Sequence, residues 1–205
     1  MKHITNISKK SLKLFLIIIF YLCVQSWTKA DDVREFEIEG MSIGNSLLDY
    51  FSEKEILENV SAAQYPNKKF ILYFFKGLSK FKTYESVTVA VKANDKNFII
   101  YDLGGSIYFE KNFEKCLSMM DEVVNELDQI FTKAKTASGK NQHAYDKSGK
   151  TIQHYNIYEL ESGDNSQVVC LNWSDDLENQ GHTDELNLTI GLKEYGEFVM
   201  YEAYN

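Results

Sequence analysis

Few side chains of this 205-residue chain are of types that do covalent or acid–base chemistry. Beyond residue 30 the cysteines are Cys116 and Cys170, and the histidines are His143, His154 and His182. A reactive thiol needs a neighbouring base or cation to hold it as thiolate. Lys115 is the only adjacent candidate, and no histidine lies near either cysteine in sequence. An isolated pair in an oxidising compartment bridges instead. Closing a loop of about 55 residues contributes about 4 kcal/mol in the chain-entropy account. The expectation is a structural Cys116–Cys170 disulfide. His143 and His182 fall in loop-like stretches near Asp146 and Asp184. A metal site from these four would lack helical spacing and a free cysteine, so solvated loop histidines are the simpler reading. Pairs such as Asp31-Asp32 and Asp175-Asp176 read as solvated turns, with nothing nearby to shift their pKa values. The chain has no G-x-S-x-G, H-E-x-x-H, P-loop or G-x-G-x-x-G pattern. No catalytic residue, metal ligand or cofactor is assigned.

The compartment follows from the first thirty residues. Lys2, Lys9, Lys10 and Lys13 precede an uninterrupted apolar run from Leu14 to Val24, and Thr28-Lys29-Ala30 ends a more polar stretch. A positive start, a short apolar run and a small final residue read as a secretory signal peptide cut after Ala30. Eleven helical residues span about 16 Å, roughly half of a hydrocarbon core of about 30 Å, which argues against a retained anchor. Cys23 follows Phe20-Tyr21-Leu22 rather than small residues, so no lipid anchor is expected. The whole chain carries 30 acidic and 22 basic residues, net −8. Removing residues 1–30 takes five lysines and no acid, leaving −13. That charge repels nucleic acid and anionic head groups. Arg34 is the single arginine, so bidentate capture of phosphate is nearly out of reach. A periplasmic localisation is expected.

Residues 31–205 read as one domain. Glu35–Glu39 alternates as a short strand, with the three glutamates on a solvated face. Ile43, Leu47, Leu48 and Phe51 share a helical face, with Ser42 as N-cap. Ser52-Glu53-Lys54-Glu55 has capping-box form and predicts a second short helix carrying Ile56, Leu57 and Val60. Strands are expected over 70–75, 87–91, 98–103, 106–109, 151–160, 167–173 and 186–192, with a bulge or bend allowed at Gly104-Gly105. Phe113, Cys116, Leu117, Met120, Val124, Leu127 and Phe131 form a stripe over about five turns, capped by Asn112. Residues 133–150, without an apolar run, read as a mobile loop. Residues 198–204 read as a strand returning from 186–192. The sum is an α+β domain: an antiparallel sheet of several hairpins packed on one long amphipathic helix, with short N-terminal helices. The many tyrosines beyond residue 30 and Trp173 read first as half-buried strand residues, and second as a pocket lining.

The segment FEIEGMSIGNSLLDYFSEKEI (36–56), with EKCLSMMDE around Cys116 and VVCLNWSD around Cys170, resembles a group of uncharacterised exported proteins of marine alphaproteobacteria. The resemblance spans most of residues 31–205 and implies export and the α+β fold, with no activity to carry over. Gly40-Met41-Ser42 is also similar to the turn that opens the small envelope domain of outer-membrane assembly lipoproteins.

These readings converge on a non-catalytic periplasmic binding or protein-interaction module. Its partner would be an unknown protein or small molecule of the cell envelope. The turn and helix beginning at Gly40, Met41, Ser42, Ile43 and Asn45 are the candidate interaction element; the plainer alternative is a cap on a core-facing helix. Two further readings are an inhibitor of a basic secreted enzyme, acting by charge complementarity, and a hydrolase with scattered residues.

Overall fold

The fold is taken from a computed structural model that describes residues 32–205. The expected signal peptide and its cleavage site lie outside these residues. Seven strands form one antiparallel sheet: β1 (Phe70–Lys76), β2 (Ser86–Lys92), β3 (Ile100–Tyr108), β4 (Lys135–Gln142), β5 (Ile152–Glu159), β6 (Asn165–Asn172) and β7 (Glu185–Gly191). Their order across the sheet is β1-β2-β3-β7-β6-β5-β4. Among the described residues four helices accompany them: α1 (Glu53–Glu58), α2 (Phe113–Ile130), α3 (Asp175–Glu178) and α4 (Lys193–Tyr201). The architecture is α+β. Among the described residues no helix is long and apolar enough to cross a membrane.

Strict alternation builds the principal core. Tyr73, Phe75, Val87, Val89 and Val91 face the same side as Leu103, Leu186, Ile190, Val168 and Cys170, and all are buried. The long helix α2 lies against β6 and β7 on this side. Cys116, Met120 and Leu127 supply its buried stripe, and Asn112 caps its start by accepting from the Lys115 N–H. The Cys116–Cys170 disulfide joins α2 to β6, with Cα atoms 6.0 Å apart, in the ordinary range for such a bridge. Across β1–β3 the same side is covered by the N-terminal segment, whose Ile38, Met41, Ile43, Leu47, Phe51 and Ile56 are buried in the same cluster. On the opposite side Phe70 and Ala90 pack with Tyr195, Phe198 and Ala203 in and after α4, forming a smaller core.

Several local expectations change. The capping box of α1 is present in both directions, Ser52 to Glu55 and back. The helix expected from Ile43 to Phe51 is instead a set of turns ending in one 3-10 turn, Leu47–Asp49, capped by Ser46 rather than Ser42. Leu47 is buried and Leu48 exposed, so the four apolar residues do not form one face. Glu35–Glu39 is not a regular strand. Residues Val33–Glu35 make a 3-10 turn, and Ile38 pairs only with Met41. Strand β3 runs through Gly104-Gly105 without a bend, and the irregularity falls at Ala90/Val91 of its neighbour β2. Gly105 is needed for close approach: a Cβ there would lie 2.5 Å from Cδ1 of Tyr84.

Residues 135–142 form β4 rather than a mobile loop. Its eight side chains are all exposed, so no apolar alternation marks it. The pairing with β5 is made by backbone groups, which composition does not reveal. Residues 198–204 do not return as a strand. Both flanks of β7 are already occupied, by β3 and β6, so no edge remains for a hairpin partner. The chain leaves the sheet as α4 and buries Tyr195 and Phe198 on one helical face.

Candidate functional site

A cleft of about 620 Å³ opens where three segments meet: Glu37 to Met41, Asp49 to Phe51, and Lys80 to Thr83. Its first wall is a tight reversal. Ile38 and Met41 exchange both backbone hydrogen bonds at 3.0 Å, and the two residues between them, Glu39 and Gly40, have φ of 53° and 78°. Positive φ at both central positions is the type I′ pattern, and glycine suits the second of them. A glutamate at positive φ is strained. It is held there by its own carboxylate, which accepts N–H bonds from Lys82 (2.8 Å), Thr83 (2.7 Å) and Tyr84 (2.8 Å). Burial alone would raise the Glu39 carboxyl; the three N–H donors and the Lys82 charge outweigh it and hold the group below its usual value. Glu39 therefore clasps the third wall of the cleft to the first.

The floor is apolar. Met41 and Phe51 are buried, and Phe51 stacks on Phe75 of β1 at 4.1 Å between centroids. Lys80 places its ammonium 3.5 Å from the Phe51 ring centroid and donates to the Tyr50 carbonyl at 2.8 Å. The Phe51 ring is thus covered on both faces, by Phe75 and by the Lys80 ammonium. Phe81, half-buried, completes the apolar lining. At the rim Glu37 and Asp49 are exposed and form no ion pair among the described residues.

The five candidate interaction residues divide by position. Gly40 and Met41 line the cleft. Ser42 and Ile43 are buried beneath it, Ile43 within the principal core. Asn45 is exposed, and its amide donates to the Tyr50 hydroxyl at 2.8 Å, orienting a lining residue. Sequence reading missed the third wall entirely, because Gly77–Thr83 shows only as a break between strands. It also grouped Glu39 with Glu35 and Glu37. Nothing in that alternation singles out the residue whose carboxylate turns inward.

At the far end of the sheet the structure does bring His143 and His182 together, around Trp173. Ring centroids are 5.1 Å apart for His143–Trp173 and 4.3 Å for Trp173–His182, with Tyr145 beside both Trp173 and His182. Their carboxylate neighbours are committed elsewhere. Asp146 accepts from Thr151 N–H and Oγ1 and from the Ser148 N–H, bonds that hold its carboxyl far below the usual range. Asp184 accepts from the Trp173 N–H at 2.8 Å. Among the described residues no three His, Cys, Asp or Glu side chains are placed to share a metal ion. Burial, with His182 nearby, holds His143 below its ordinary pKa, although Asp146 opposes this.

Asp102 of β3 is a titratable group that sequence gave no reason to notice. It lies opposite Gly191, where a Cβ would come within 2.5 Å of its Oδ1. Burial pushes its carboxyl up to about 7. The neighbouring Tyr195 hydroxyl, 3.5 Å from that of Tyr65, is raised by burial and by the Asp102 charge. No protein-family model, curated protein or solved structure matches this chain.

Proposed function

We propose that this chain is an exported, non-catalytic binding module whose ligand sits in the Gly40 cleft and combines an apolar body with a positively charged end. The observation that carries the reading is an apolar lining, Met41 and the half-buried Phe81, beside two exposed rim carboxylates, Glu37 and Asp49, that form no ion pair among the described residues. The third acid, Glu39, is engaged by the fold: its three N–H bonds favour the ionised form and take up three of the roughly four acceptor sites of a carboxylate. None of the lining residues is a histidine, cysteine or serine. The signal-like first thirty residues, the disulfide and the resemblance to exported proteins support the periplasm as the compartment.

The test is an NMR titration with the end-blocked dipeptide Phe-Lys, using Phe-Glu as the control. Shift changes should centre on Gly40, Met41, Phe51 and Phe81 for Phe-Lys alone. The double substitution Glu37→Gln, Asp49→Asn should weaken that binding about tenfold, the effect of removing two surface attractions. Both residues are exposed, so the fold should be unaffected. Equal response to the two dipeptides, or shifts confined to other surfaces, sinks the reading.

A further inference from the structure

The sheet ends on one side in an edge with no partner in the described chain. Strand β4 pairs with β5 alone, and all eight of its residues are exposed. The direction of its backbone groups follows from its register. The His143 N–H donates to the Thr151 carbonyl at 2.9 Å, on the direct continuation of the β4–β5 register. Hydrogen-bonded pairs alternate along an antiparallel ladder. Odd-numbered residues of β4 therefore turn their backbone groups toward β5. Thr136, Ser138, Lys140 and Gln142 turn theirs away from it, presenting four N–H donors and four carbonyls in strand spacing.

Charge says what would suit this edge. Residues 133–150 hold five lysines and one acid, whereas the rest of the chain beyond residue 30 holds 12 basic and 29 acidic residues. The basic corner is thus a local exception on an acidic body. Lys135 pairs with Glu159 at 3.4 Å and Lys150 with Asp176 at 3.6 Å, but all four side chains are more than half exposed, so these pairs are weak. A second copy of β4 would set lysine-rich strands side by side, and like charges on paired strands are destabilising. An acidic strand would meet complementary charge on both faces, since Lys135 and Lys140 alternate across the pleat.

We propose that the free edge of β4 takes up an extended acidic segment of a partner protein as an eighth strand of the sheet. Backbone bonds to Thr136, Ser138, Lys140 and Gln142 supply the affinity, and the lysines select for carboxylates. The surface is separate from the Gly40 cleft, and neither proposal depends on the other.

The experiment is fluorescence anisotropy with the disulfide-intact chain and an end-blocked, labelled peptide of alternating threonine and glutamate. A threonine–lysine peptide of equal length is the control. The acidic peptide should bind at least about fivefold tighter than the basic one and weaken about tenfold when salt rises from about 50 to 500 mM. Ser138→Pro removes one outward N–H and leaves the β4–β5 ladder intact, so it should abolish binding. Lys140→Glu keeps every backbone group and should weaken binding about tenfold, which preserves the test if the proline variant loses the hairpin. Absence of saturable binding, indifference to Lys140→Glu, or equal binding of both peptides overturns the proposal. So does a dimer that Ser138→Pro dissolves, because the occupant is then a second copy.

Discussion

The two ends of the sheet are built on opposite plans. At the β1 end the strand is covered on both sides, by the N-terminal segment and by α4, and its outer edge is closed as well. Asn59 accepts from the Phe74 N–H, Ser61 donates to the Leu72 carbonyl, and the Gln64 amide bonds both the N–H and the carbonyl of Leu72. A side-chain amide there stands in for a missing strand. At the β4 end every side chain is exposed, and among the described residues no strand lies beyond. An edge can be made safe by covering its backbone or by charging its side chains, and this molecule uses one device at each end. Only the charged edge stays accessible to another chain.

That contrast can be tested by substitution. Phe70→Ala should cost about 3–5 kcal/mol, because Phe70 is fully buried against Tyr101, Tyr195 and Phe198 and its loss leaves a cavity. Denaturant melts read this directly, and a cost no larger than that of a surface change would refute a two-sided closed end. Gln64→Ala should cost about 1–3 kcal/mol by leaving the Leu72 N–H without its acceptor, while the Leu72 carbonyl keeps its bond from the Ser61 N–H. Faster hydrogen exchange at the Leu72 amide would localise the effect to that edge.

Two titrations sharpen the same comparison. Asp102 lies in the closed half. Its folded pKa of about 7 stands above the ordinary carboxyl value of 3.8, so the carboxyl favours folding below pH 3.8, and that contribution is lost as pH rises through about 7. Asp102→Asn should therefore raise the melting temperature at pH 8 and leave it nearly unchanged at pH 4; equal shifts at both would contradict a buried carboxyl. His143 lies beyond β4 in the open half, with its pKa below the usual 6.5. The unfolded chain binds that proton more readily, so stability falls as pH drops from 6.5 through the lowered folded value. Trp173 packs on His143 and is the only tryptophan beyond residue 30, so its fluorescence should report this loosening, and His143→Gln should remove the pH step. The smallest effect belongs to β4 itself: Thr136→Ala should change stability by no more than about 0.5 kcal/mol, as for an exposed site.

Legibility in the sequence tracks burial. Alternating valines in β2 and leucines in β7 declare a strand because one face must leave water, and the stripe of α2 declares a helix for the same reason. The capping box of α1 was readable because both partners lie within four residues. Strand β4 was invisible because it buries nothing, and α4 was misread because β7 turned out to be a central strand. Of the cleft, Gly40 and Met41 were anticipated, as members of a turn. Phe51 was placed on a helical face that does not form. Lys80, Phe81 and the clasp by Glu39 were hidden, since the Glu39 bonds span 43 to 45 residues.

The amino-acid order alone determined which segments shed water, where α1 and α2 begin, and that the two cysteines beyond residue 30 have only each other. Those are consequences of neighbours a few positions apart and of composition. Tertiary structure decided the strand order, the closing of one edge and not the other, the inward turn of a single glutamate and the raised carboxyl of Asp102. Each depends on groups far apart in the chain, and only packing determines which of them meet and how much water stays between them.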